Sequence, residues 1–269
     1  MLLTIDAGNT QTVIGLFKGN ELTDHWRIGT VVERTADELA LMVQQFLGFH
    51  GFSLQTEPGP RGARGPGLEG GSIDGVAISS GVPSVTAELR AMTARYFGFP
   101  ALVLEPGVRT GMPILYDNPK EVGPDRIANA VAAYDLYGGP SIVVDFGTAN
   151  TIEAVSEHGE YLGGAIFPGI EISMDALFAR AAALRRVELV APRHVIGKST
   201  VESIQSGCVY GFSGQVDALV DRFEAELGEC TVVATGGLAD PIIEHSRTIQ
   251  HYEPWLTLQG LRIVFERNR

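Results

Sequence analysis

Apolar residues gather in short unbroken runs at Met1–Ile5, Val13–Phe17, Val76–Ile78, Ala101–Leu104, Ile142–Val144 and Thr231–Ala234. Runs of Leu, Ile and Val without polar alternation predict strands covered on both faces. Between them the spacing changes to three and four residues. Leu39, Val43, Phe46 and Leu47 predict one helix; Val85, Leu89, Met92 and Tyr96 a second; Ile127, Val131 and Tyr134 a third; Val216, Leu219, Val220 and Phe223 a fourth. Strands alternating with helices predict an α/β protein. Residues 56–72, TEPGPRGARGPGLEGGS, hold nine Gly or Pro in seventeen positions and predict a mobile surface loop. Its basic pair, Arg61 and Arg64, is either a solvated charge pair or a phosphate contact.

The pattern also repeats. Leu2–Ile5 runs into Asp6-Ala7-Gly8-Asn9-Thr10-Gln11-Thr12, and Ile142–Val144 runs into Asp145-Phe146-Gly147-Thr148-Ala149-Asn150-Thr151. Asp, Gly and Thr recur at a constant offset of 139, each time between two apolar runs. Matches that share a strand context and divide the chain near its middle predict two halves built on one plan. Such a strand, turn and strand describes a hairpin whose tip exposes backbone N–H groups and hydroxyls that can wrap an anion. An acidic residue at the strand end suits a cation that bridges phosphates. Two such tips facing each other would hold a nucleoside triphosphate. Asp, Asn, Gly and Thr are also ordinary turn residues, so one copy alone would carry little weight. A third turn, Val232–Leu238, has the pair Gly236-Gly237 after a strand, where a flat base or ribose could approach the backbone. Gly197-Lys198-Ser199 looks like the end of a phosphate-binding P-loop, but that motif needs glycine at 192, where Pro192 stands.

Composition narrows the choices. The 269 residues suffice for one large domain or two smaller ones, and 33 glycines exceed the average usage of roughly 7%. A formal charge of −12 repels polyanions, so nucleic acid is not expected as a partner. Cys208 and Cys230 form no CxxC, and the six histidines show no ligand spacing, so neither a zinc site nor a disulfide framework is expected. The N-terminus lacks a basic segment followed by a long apolar one, and no apolar stretch reaches membrane-spanning length. A cytoplasmic protein with no membrane partner is expected.

Taken in order, DAGNT from Asp6, YDNPKEVGPDR from Tyr116, DFGTANT from Asp145, GGAIFPGI from Gly163 and ATGGLA from Ala234 resemble type III pantothenate kinases. The resemblance implies an actin/hexokinase/Hsp70-like (ribonuclease H-like) fold: α/β, two similar lobes, the active site in the cleft between them. A division into residues 1–115 and 116–269 is expected, with a tail from Leu256 to Phe265 crossing back to the first lobe. The resemblance also implies ATP-dependent phosphorylation of pantothenate to 4′-phosphopantothenate, the first step of coenzyme A synthesis. Mg²⁺ with ATP, a monovalent cation (K⁺ or NH₄⁺) and a homodimer come with it.

By the same resemblance, Asp6, Ala7, Gly8, Asn9, Thr10, Gln11, Thr12 and Val13 form the first ATP phosphate loop, with Asp6 near Mg²⁺. Thr148 contacts ATP in the second loop, and Asp145 holds the monovalent cation. Gly123, Pro124, Asp125 and Arg126 match the substrate motif G-x-D-R, whose aspartate is the general base. Tyr116 and Thr200 match pantothenate contacts, Thr200 through the looser pattern Gly197 to Thr200. The second loop departs from the family at Asn150, where GTATT or similar is expected. Residues 56–72 look like an insertion.

Local chemistry leaves alternatives beside these roles. Asp125 precedes a helix and could simply cap its N–H groups. Arg126 could pair with one of many carboxylates. Tyr116 could be a half-buried core aromatic, and Asp145 an unpaired turn carboxylate. The Ala-rich stretch Met174–Leu184 could pack against a twin or within its own lobe. Two rivals share the fold: a kinase of another small alcohol, and a non-catalytic nucleotide-binding regulatory or accessory protein. Tyr116, Arg126 and Thr200 discriminate against the first, Asp125 against the second.

Overall fold

A computed structural model describes residues 1–49, 51, 73–181 and 184–269. The Gly/Pro-rich stretch at 56–72 lies outside the described residues. In chain order the elements are β1 (Leu2–Ala7), β2 (Gln11–Lys18), β3 (Glu21–Gly29), α1 (Ala36–Gly48), β4 (Gly75–Ser80), α2 (Pro83–Met92), β5 (Leu102–Val103), α3 (Pro124–Tyr137), β6 (Ser141–Phe146), β7 (Ala149–Val155), β8 (Tyr161–Pro168), α4 (Ile170–Arg180), α5 (Thr200–Leu227), β9 (Thr231–Thr235), α6 (Asp240–Ile243), β10 (His251–Tyr252) and α7 (Leu256–Arg267). All six apolar runs contain strand residues, and each helical spacing falls on a helix, the second running past α2 into a helical turn at Thr93–Phe97 that holds Tyr96.

The chain divides into two compact units. One comprises residues 1–111, 122–128 and 257–269; the other comprises residues 112–121 and 129–256. The sequence suggested a single break after residue 115; in the structure the units interleave. Packing explains why. Gly260 of α7 lies so close to Ala128 that a Cβ would stand 2.0 Å from its carbonyl oxygen, and a Cβ at Gly75 would strike the Phe265 ring. Both contacts lie within the first unit.

Each unit has one five-stranded sheet, ordered β3-β2-β1-β4-β5 in the first and β10-β9-β6-β7-β8 in the second. In both, the first three strands in sequence form an antiparallel meander, and the last two add in parallel beside the first. The two sheets therefore have the same topology, as the repeat predicts. Leu3, Ile5, Ile14 and Ile78 pack with Leu39, Val43 and Leu89 in the first core. Ile142, Val144, Phe146 and Ile152 pack with Val209, Val216 and Val220 in the second. Burying each such side chain contributes about 1.5–3 kcal/mol.

The repeat differs in one detail. Ala7 pairs with Thr12 across a four-residue turn, whereas Phe146 pairs with Asn150 across a three-residue turn. The ladder thus equates Thr12 with Asn150, not with Thr151 as the offset of 139 suggested. Losing one turn residue moves Thr151 to the opposite sheet face, where it pairs with Asp145.

Candidate active site

The first hairpin closes when the Gly8 N–H donates to Gln11 O at 3.0 Å. A Cβ on Gly8 would stand 3.2 Å from that oxygen, so the turn is tight. Asn9, Thr10 and Gln11 are exposed, Ala7 and Thr12 are buried, and Asp6, Gly8 and Val13 are intermediate. The tip is braced from β3: the Thr30 N–H donates to Thr10 O at 2.9 Å, and the hydroxyls of Thr12 and Thr30 meet at 2.8 Å. Exposed residues on a braced turn, with a carboxylate at the strand end, are the kind of donors from which a phosphate cradle can be built.

The second hairpin is braced in the equivalent way, by the Gly169 N–H donating to Thr148 O at 3.1 Å. Thr148 is exposed at its tip. Gly169 precedes α4, and a Cβ there would lie 2.4 Å from Thr148 O. Asp145, half-buried at the end of β6, accepts a 2.9 Å hydrogen bond on Oδ2 from Asn129 Nδ2 of α3. Its Oδ1 lies beside Gly236, where a Cβ would come within 2.6 Å; Gly236 has φ +97°. The Gly236-Gly237 turn was expected to admit a base or ribose. At Gly236, the crowding that requires glycine comes from Asp145 and the Phe146 backbone.

Asp125 lies inside the first turn of α3, after Pro124 at its first position. It is exposed, and its Oδ1 accepts the Arg126 N–H at 2.9 Å. A Cβ on Gly123 would stand 2.4 Å from that oxygen, so glycine there lets the carboxylate fold back over the turn. Asp125 therefore satisfies one helix N–H, but from within the helix and not from the capping position ahead of it. Arg126 beside it is buried. Tyr116 is half-buried.

Thr200 is the first residue of α5, and Ser199 caps that helix by accepting the Glu202 N–H at 3.2 Å. Gly197-Lys198-Ser199 is thus a helix start and not a P-loop. Thr200 lines a cavity of about 930 Å³ with Ser173, Met174 and Leu177 of α4 and Cys208 of α5. Tyr116 is not among the described residues lining that cavity.

A sequence model described as type III pantothenate kinase matches residues 2–222. The chain belongs to this family. It is 58% identical to the type III pantothenate kinase of Streptomyces griseus, over 100% of this chain and 98% of that one. Among solved structures it is similar to a conserved Campylobacter jejuni protein described as a Baf family transcriptional activator (TM-score 0.59, 19% identity, 99% and 98% of the two chains). It is also similar to component A of the Acidaminococcus fermentans (R)-2-hydroxyglutaryl-CoA dehydratase (TM-score 0.57, 13% identity, 100% and 99%). At those identities the structures speak for the fold alone, which is the actin/hexokinase/Hsp70-like α/β fold.

A pantothenate kinase works with a divalent metal, and the donor set suits hard cations. Among the described residues no group of three or more His, Cys, Asp or Glu gathers into a chelating cluster. The half-buried carboxylates of Asp6 and Asp145 lie at strand ends, and Asp145 Oδ1 shares the surroundings of Gly236 with the Phe146 carbonyl oxygen. Single carboxylates that share a cation with carbonyl and phosphate oxygens are what Mg²⁺ or a monovalent ion needs. The sequence did not single out Asn129, Glu153 or Tyr161. Asn129 stands four residues after Asp125, one helical turn, and that spacing was the available signal.

Proposed function

We propose that this kinase transfers the γ-phosphoryl group of ATP to the 4′-hydroxyl of pantothenate, the opening step of coenzyme A synthesis. The observation that carries this reading is the full-length 58% identity to a pantothenate kinase. The G-x-D-R turn and both phosphate hairpins support it. Asp125 accepts the hydroxyl proton late in transfer, as an exposed carboxylate can. Arg126 neutralises the pantothenate carboxylate, and Tyr116 and Thr200 hold the acceptor. Asp6 through Val13 and Thr148 bind the ATP phosphates through turn amides and hydroxyls. Mg²⁺ at Asp6 and K⁺ or NH₄⁺ at Asp145 supply charge neutralisation for the phosphates when bound.

The working form is a homodimer. Of thirteen large hydrophobic residues exposed among the described residues, seven lie between 166 and 201, including Ile172 and Leu177 of α4. On the same helix Ile170 and Met174 are buried, so α4 packs within its own unit and still presents apolar surface. The charge of −12 speaks against nucleic acid as a partner. No described helix is long and apolar enough to cross a membrane. Both cysteines are free, which agrees with a cytoplasmic setting.

The test is ADP release from purified protein with Mg·ATP, with and without pantothenate, in potassium and in sodium buffer. Pantothenate-dependent release that requires potassium is expected. Release indifferent to pantothenate would reject the acceptor.

A further inference from the structure

Glu153 on β7 is fully buried. Its register partners are Val143 on β6 and Gly164 on β8, which puts it on the sheet face of Asp145 and Thr151, opposite Phe146 and Ile152. A buried carboxylate is costly unless donors satisfy it. Tyr161, the fully buried first residue of β8, donates its phenol O–H to Glu153 Oε2. Gly164 makes room for the carboxylate: a Cβ there would stand 2.7 Å from Glu153 Oε2 and 2.0 Å from Ile152 O.

Tyr161 also grips the segment that carries Tyr116. Its N–H donates to Pro113 O at 2.9 Å, and its carbonyl accepts the Leu115 N–H at 2.8 Å. The Tyr116 ring follows directly, 6.3 Å from the Tyr161 ring at 59°. It rests over Gly163, where a Cβ would come within 3.3 Å of it. Gly163 and Gly164 thus clear space for the Tyr116 ring and the Glu153 carboxylate respectively.

We propose that the buried Glu153–Tyr161 pair is a positioning device that fixes Tyr116 as one wall of the acceptor site; the proposal rests on the reading that Tyr116 meets pantothenate. Glu153 is fully buried and acts through Tyr161 and the Pro113–Leu115 backbone. Losing the phenol anchor frees that backbone and the Tyr116 ring while the ATP hairpins stay intact. The effect therefore falls on one substrate.

The experiment measures KM for pantothenate and for ATP, the thermal midpoint, and hydrogen exchange at the Leu115 amide. The proteins are wild type, Tyr161→Phe, Glu153→Ala and Glu153→Gln. Tyr161→Phe keeps the ring and its packing. In it we expect pantothenate KM to rise roughly five- to twentyfold, ATP KM to stay within about twofold, and Leu115 exchange to quicken. Glu153→Gln, whose amide oxygen still accepts the phenol proton, recovers most of what Glu153→Ala loses. The proposal is overturned if Leu115 exchange is unchanged in Tyr161→Phe, or if both KM values shift together with the thermal midpoint. Wild type without pantothenate-dependent turnover would reject the functional reading, while Leu115 exchange still judges the anchor.

Discussion

The two hairpins stand at the same place in two sheets of the same order, yet they are finished differently. Asp6 has Ser79 as its register partner on β4, and Asp145 has Thr235 on β9. Beyond those partners come Ser80 in the first unit and Gly236 in the second. The Ser80 hydroxyl accepts the Val82 N–H at 3.1 Å and leads into α2, whereas Gly236 turns at φ +97° against Asp145. Thr12 finds the Thr30 hydroxyl, but Asn150, its ladder equivalent, is fully buried with neither amide atom bonded. The position equivalent to Thr30 is Gly169, which has no side chain to offer. A duplicated sheet thus conserves the ladder, while the turns diverge toward separate tasks: in our reading, magnesium and phosphate at the first, a monovalent cation at the second.

Exchanging one atom at each strand end should break that division most severely. Asp145→Asn should lower turnover in potassium roughly a hundredfold and erase the preference for potassium over sodium. Asp6→Asn should lower turnover yet preserve that preference. Rates in the two buffers check both, and an unchanged preference in Asp145→Asn would undo the assignment.

Next in size is the backbone contrast. Gly236→Ala combines positive φ with a Cβ 2.5 Å from Phe146 O, so it should cost about 3 kcal/mol in denaturant unfolding. Ser80→Ala should cost less than about 1 kcal/mol.

The short edge strands β5 and β10 sharpen the comparison further. Residues leading into β10 are clamped by Asp217 of α5, whose Oδ1 accepts from the hydroxyls of Ser246 at 2.6 Å and Thr248 at 2.8 Å. Burial opposes ionisation of Asp217, but those hydroxyls and the Arg247 and Thr248 amides outweigh it and hold the carboxyl below its usual 3.8. Because the folded value is lowered, the stabilisation is present above pH 3.8 and is lost as pH falls through the lower value. Asp217→Asn should cost about 2 kcal/mol at pH 7, with the gap to wild type closing below pH 3.8. Urea titrations at several pH values check it.

The smallest expected effects have opposite signs. Thr12→Val should cost about 1 kcal/mol by stranding the Thr30 hydroxyl, while Asn150→Leu, which removes an unbonded buried amide, should be neutral or stabilising. Thermal midpoints decide.

The same contrast marks how far the sequence could be read. Strands buried on both faces show as apolar runs, so β1, β2, β4, β6 and β9 were legible. β3 was not, because its half-exposed pattern places Asp24, His25 and Arg27 among Leu22, Trp26 and Ile28. β8 was hidden by Gly163 and Gly164, and the first half of α5 by Gly207, Gly211 and Gly214, residues that read as turns. The segments that resemble the family's phosphate loops and G-x-D-R could be picked out because each is contiguous. Tyr161 with Glu153, and Asn129 with Asp145, were not, because those contacts form only when separate elements meet.

The most direct test of the account is Asp125→Asn, assayed for pantothenate-dependent ADP release together with ATP affinity and thermal midpoint. If Asp125 takes the hydroxyl proton, turnover should fall on the order of 10²–10⁴-fold while ATP affinity and the midpoint stay near wild type. A folded Asp125→Asn protein turning over at close to the wild-type rate would contradict it, and would leave Asp125 as a residue that merely satisfies the start of α3.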